Sequence, residues 1–61
     1  MDGYITKVGF IVKERSGMLD IYDASDNAYM GEIQNKTLDD YSVNGEIDSD
    51  SLDCDIYDAL Y

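Results

Sequence analysis

The sequence predicts an α+β fold: a small antiparallel β-sheet, built as a three-stranded meander plus a fourth strand, followed by a short C-terminal helix. Three observations predict it. Residues 4–12 alternate in character, polar turn clusters recur at short intervals through residue 34, and Leu52, Ile56, Ala59 and Leu60 fall on one helical face. A small all-β barrel is the alternative, because Leu52, Cys54 and Ile56 also alternate with Asp53 and Asp55.

Tyr4, Thr6, Val8, Phe10 and Val12 stand on one side of the first strand, with Ile5, Lys7, Gly9, Ile11 and Lys13 on the other. Glu14-Arg15-Ser16-Gly17 follows as a turn, with glycine available for a positive φ, and Met18–Tyr22 returns as the second strand. After the polar turn Asp23-Ala24-Ser25-Asp26-Asn27, residues 28–34 resume extended character with Tyr29, Gly31 and Ile33 on one face. The meander therefore covers residues 3–34.

Thr37 is placed to cap a short helical turn, with Asp40 at the third position after it. Asn44-Gly45 lies between Tyr41-Ser42-Val43 and Glu46-Ile47, and both of its residues tolerate positive φ. A fourth strand or a small hairpin fits there. For residues 50–61 the helix is preferred over a strand, since Ser49 or Asp50 can cap it, Asp53 complements the positive end of its dipole, and aspartate is depleted from strands. Against the helix, Asp-Ile-Tyr-Asp-Ala occurs at both 20–24 and 55–59, and its first copy lies where a strand is predicted. An internal duplication would favour the strand.

The 61 residues make one small acidic domain. A fold of this size buries only about 60% of the surface its unfolded chain exposes, so a partner or a second copy would add needed stability. A net charge of −10 would suit a disordered chain, but 44% hydrophobic residues, six tyrosines among them, suffice for a core. With no histidine and one cysteine, neither a zinc cluster nor an internal disulfide is expected. No apolar run approaches a membrane span, and no signal-peptide pattern opens the chain. The expectation is a soluble, cytoplasmic protein, monomeric or weakly dimeric, without membrane or direct nucleic-acid contact.

Charge is distributed unevenly. Residues 1–37 hold six acids and all four bases, for a net of −2, whereas residues 38–61 hold eight acids and no base, for a net of −8. Such one-sided charge opposes compaction and invites a functional explanation. The candidate partner-binding residues are Asp39, Asp40, Glu46, Asp48, Asp50, Asp53, Asp55 and Asp58, joined by Tyr57. Residues two apart on a strand lie about 6.6 Å apart, close to the phosphate spacing along a nucleic-acid strand. A row of these carboxylates could thus occupy a Lys- and Arg-lined groove that otherwise neutralises phosphates, in competition with DNA or RNA. The plainer reading is a solvated face that confers solubility.

Other chemistries fit less well. Asp23–Asn27 and Asp48–Asp53 each begin like a calcium loop, but Ala28 and Gln34 replace the required glycine and bidentate glutamate in the first, and Leu52 takes a ligand position in the second. Cys54 lacks an activating histidine and lies between aspartates, so a packed, unreactive thiol is expected. Paired carboxylates need a concave pocket for acid–base work, which a meander this small rarely provides. No catalytic residue, metal or cofactor is expected. The tyrosines pack on strand faces with hydroxyls outward, while Tyr57 and Tyr61, beside the acids, can offer rings to an arginine.

In size, charge and aromatic content the whole chain resembles the small acidic inhibitors that phages and other mobile elements deploy against host nucleic-acid machinery, including anti-CRISPR proteins that mimic DNA. That resemblance implies a non-enzymatic inhibitor acting in the host cytoplasm on a basic nucleic-acid-binding protein, such as a Cas effector subunit. An immunity protein or antitoxin for a basic nuclease toxin shares the same electrostatics. A structural or adaptor β-module is the third expectation. Locally, Leu19–Ile33, with Tyr22-Asp23 and Met30-Gly31-Glu32-Ile33, is similar to the start of small β-barrel modules of the PRC type, although Asn27 replaces their turn glycine.

Overall fold

Alternation carries the sheet. In a computed structural model of the protein, which describes residues 3–61, the strands β1 (Tyr4–Ile5), β2 (Phe10–Arg15), β3 (Met18–Asp23) and β4 (Tyr29–Gln34) form one antiparallel sheet in the order β1-β2-β3-β4. The register aligns Tyr4, Val12, Ile21 and Gly31 in one cross-strand row, and Glu14, Leu19 and Ile33 in the next. These rows face the helix side, with Glu14 exposed at the rim. Helix α1 (Ser49–Leu60) lies against them, and Phe10, Val12, Leu19, Ile21, Tyr41, Leu52 and Ile56 form the core between the two layers. Leu52 and Ile56 are fully buried, each stabilising the fold by roughly 1.5–3 kcal/mol of transfer free energy. Leu60 passes so closely over Gly31 that a methyl group at that position would collide with it.

Turn chemistry sets the connections. Ser16 and Gly17, both at positive φ, make the two-residue turn between β2 and β3, so Glu14 and Arg15 belong to the strand. Between β3 and β4, Asn27 adopts φ 60° and its N–H donates to the Asp23 carbonyl, while the Asp23 side chain accepts from Ser25. Thr37 precedes a 3-10 turn at Leu38–Tyr41, where Asp40 Oδ2 accepts the Thr37 N–H at 2.8 Å. Strands β5 (Ser42–Val43) and β6 (Glu46–Ile47) flank Asn44-Gly45 as a separate hairpin and do not join the main sheet. The predicted fourth strand of the sheet comes instead from the N-terminal segment.

That segment departs most from expectation. The alternation over residues 4–12 suggests one strand, but the chain turns back at Thr6–Gly9 and pairs with itself as β1 and β2. Thr6 closes the turn from both ends, its N–H donating to the Phe10 carbonyl and its Oγ1 accepting from the Phe10 N–H. Gly9 sits at φ 109°, a conformation costly for any other residue. The two N–H groups between them donate to the helix: Lys7 to Ser49 Oγ at 2.9 Å and Val8 to Asp53 Oδ2 at 3.4 Å. Partners more than 40 residues away thus override the strand pattern, and Val8 is left exposed.

An irregularity in the β3–β4 pairing between Ile21 and Tyr22 sets Tyr29 opposite Tyr22, on the outer face and away from Gly31 and Ile33. The helix is capped by Asp48, whose side chain accepts from Ser51, and not by Ser49 or Asp50. Ala59 and Cys54 are exposed, so the thiol is not packed. The open sheet with its terminal helix excludes the closed barrel, and with it the fold implied by the PRC-like stretch.

Candidate partner-binding surface

The acids of residues 38–61 belong to the layer formed by the 3-10 turn, the small hairpin and α1, across the core from the outer face of the sheet. Asp39, Asp40, Glu46, Asp50 and Asp58 are exposed, and Asp48 and Asp55 are half-buried. Asp53 is not part of this surface. It is 6% exposed, its Oδ2 faces the Val8 N–H and the Ser49 hydroxyl, both at 3.4 Å, and its Oδ1 has no partner. Its work is to hold the Thr6–Gly9 turn against the helix, so the predicted row loses its central carboxylate. Seven accessible acids remain.

Helical geometry also changes their arrangement. At about 100° per residue, Asp50 and Asp55 diverge by about 140° around α1, while Asp55 and Asp58 stand one turn apart on the same flank. The carboxylates spread over a broad convex surface instead of following one file. Several are fixed by internal bonds: Asp48 by Ser51, Asp40 by Thr37, and Asp55 by the Tyr41 hydroxyl, which donates to Oδ2 at 2.7 Å. Tyr41 is itself buried, contrary to the expectation of outward hydroxyls; its burial and the Asp55 charge raise its pKa well above the ordinary tyrosine range. This bond ties the 3-10 turn to the helix and orders both sets of acids.

Bases reach only the margins of this layer. Lys7 Nζ approaches Asp50 at 3.9 Å with both groups solvated, a contact of small energetic weight, and Lys36 Nζ lies 5.8 Å from the centre of the Tyr41 ring. Asp58 occupies the last turn of α1, at the negative end of its dipole, and that turn holds no base. Tyr57 is 44% exposed; Phe10 supports its ring edge-on at 5.8 Å, and Tyr61 lies 5.2 Å beyond.

No sequence motif marks the outer face of the sheet. Ile5, Ile11, Tyr22 and Tyr29 form a cross-strand row over all four strands, with Tyr22 and Tyr29 edge to face at 5.4 Å and Lys13 over the Tyr22 ring at 5.0 Å. Beside it Arg15 clasps Asp20 with two hydrogen bonds, at 2.8 and 3.1 Å, and approaches Glu32. The Arg15 hydrogen bond holds the Asp20 carboxyl below the usual range. This face carries two bases and two acids, so charge separates the two sides of the molecule. The signal lay in the second set of the N-terminal alternation, Ile5 and Ile11, which becomes legible only once the strands are in register.

Among the described residues, no helix is long and apolar enough to cross a membrane. No family model, no curated protein and no solved structure matches the chain.

Proposed function

We propose that the protein is a non-enzymatic inhibitor that binds the basic, nucleic-acid-binding surface of another protein through its helix-side acidic layer and thereby excludes DNA or RNA. One observation carries this reading: seven accessible carboxylates share a layer whose residues, 38–61, contain no lysine or arginine. Tyr41 and the two capping bonds support it by ordering part of that layer, so less side-chain freedom is lost on binding. The cytoplasm is where such a target would be met. A Cas effector subunit or another DNA-handling protein is the target class, with a basic nuclease toxin as the alternative that only partner identity separates.

The test is displacement from immobilised duplex DNA. The protein should release a basic DNA-binding protein from a cell extract and co-purify with it at low salt, and the complex should dissociate as salt rises. Neutralising Asp39, Asp40, Asp55 and Asp58 together as asparagines should abolish the release while circular dichroism stays unchanged. Release that survives this change excludes the proposal. The uncovered row Ile5, Ile11, Tyr22 and Tyr29 favours a second reading, an adaptor that docks by its sheet face; there, Tyr29→Ser would weaken association and salt would matter little.

A further inference from the structure

We infer that the Tyr57–Tyr61 ridge of α1 is a seat for an arginine side chain of the partner, so that the acidic layer selects arginine-rich over lysine-rich surfaces. The inference rests on the proposed function and specifies the chemistry of the partner. Tyr57 and Tyr61 are 44% and 78% exposed, their rings 5.2 Å apart and inclined at 50°. Phe10, at 5.8 Å and 76°, backs Tyr57 from the core side and fixes its ring. Tyrosine is enriched where proteins make contact, because its ring is largely apolar and its hydroxyl is satisfied by water or a partner.

Their surroundings define the occupant. Asp58 is one turn before Tyr61, so a carboxylate lies beside the ring pair, while Asp50, two turns before Tyr57 on the same face and approached by Lys7, extends the negative field farther along the helix. Exposed Val8 adds apolar surface nearby, its backbone resting on Asp53 one turn before Tyr57. The lysines of the chain that meet tyrosine rings do so elsewhere, Lys13 on Tyr22 and Lys36 on Tyr41. A guanidinium suits such a place: it is planar and weakly hydrated, stacks on tyrosine, and donates in parallel to a carboxylate, while its methylene stem covers apolar surface. A lysine ammonium, compact and strongly hydrated, can also lie over a ring but neither stacks flat on it nor donates in parallel to a carboxylate.

The experiment titrates the full chain with fluorescent oligoarginine and oligolysine peptides of equal length at low salt. Oligoarginine should bind about three- to tenfold more tightly, part of the sum of two exposed cation–π contacts, since lysine also gains from a ring. Tyr61→Ala, which leaves the core intact, should remove part of that preference, and Tyr57→Ala with Tyr61→Ala should bring the two peptides to parity without losing oligolysine. Replacing both tyrosines by phenylalanine should keep the preference, which also controls for loosened packing against Phe10. Equal binding of the two peptides by the unmodified protein, or a preference unchanged in the double alanine variant, overturns the inference and leaves the proposed function standing. Failure of both peptides to bind removes both.

Discussion

Removing the negative charge of Asp58 should make this protein more stable while making it bind less well. Asp58 is exposed in the last turn of α1, where the helix dipole is negative and no base is present, a placement that costs about 0.3–1 kcal/mol. Asp55, one turn earlier on the same flank, adds repulsion of about 0.2–0.5 kcal/mol. Asp58→Asn keeps the size of the side chain and relieves both, for a gain of about 0.5–1.5 kcal/mol. An unfolding entropy of roughly 2.1 cal/mol/K per residue gives a chain of 61 residues about 0.13 kcal/mol/K, so Tm should rise by roughly 4–12 °C. Thermal unfolding followed by circular dichroism at low ionic strength reads the shift. Near 1 M salt, where the Debye length is about 3 Å, the gain should vanish. A variant no more stable than the parent at low salt, or a gain that salt leaves unchanged, would refute the reasoning that the acidic layer is kept against an electrostatic cost.

Tyr41→Phe preserves the buried ring and removes the hydroxyl bonded to Asp55, so stability should fall by about 0.5–1.5 kcal/mol in denaturant titrations near neutral pH. Because the folded-state pKa of Tyr41 is raised, its contribution is complete below the unfolded value of about 10 and is lost as pH rises beyond it; the two proteins should converge in strong alkali. Ile56→Ala should cost about 2–5 kcal/mol, a large share of the roughly 3–9 kcal/mol total for a chain of this size, so the best-protected amides should exchange at least about 30-fold faster. Arg15→Met should change the acid limb of the stability profile. The depressed Asp20 pKa means that the pair stabilises above about pH 3.9 and stops doing so as pH falls through the folded value, so the deficit of the variant should shrink in acid.

Local signals located most of the fold. Ser16-Gly17 and Asn44-Gly45 turn where positive φ is tolerated, and the Thr37–Asp40 pair marks its 3-10 turn. Leu52 and Ile56 reach the core as helical spacing requires. What local signals miss is decided across the chain. Thr6, Gly9 and Phe10 break an apparent nine-residue strand because Ser49 and Asp53, far away in sequence, take up the N–H groups of the turn. The pentapeptide Asp-Ile-Tyr-Asp-Ala makes the same point. In β3 Ile21 turns inward and Tyr22 outward by strand alternation; in α1 Ile56 points inward under helical periodicity, so the repeated letters encode no common structure.

For the surface, the sequence located the charge but not its depth. Asp53 and Asp58 are equivalent in composition, yet one is sealed beneath the β1–β2 turn and the other stands in solvent. Only the inward phase of Ser49, Leu52, Asp53 and Ile56 separates them, and aspartate at an inward position contradicts the usual reading of an acid as exposed. The apolar row on the outer sheet face stayed hidden for a related reason. Its members come from four strands, and pairing register alone brings them together.

Two-dimensional amide spectra recorded while oligoarginine is added test most directly whether the acidic layer is the working surface. Perturbations should gather in residues 38–61, strongest around Asp55, Tyr57, Asp58 and Tyr61, and fade with added salt. Perturbations centred on Ile11, Tyr22 and Tyr29 would transfer the function to the opposite face and contradict the account.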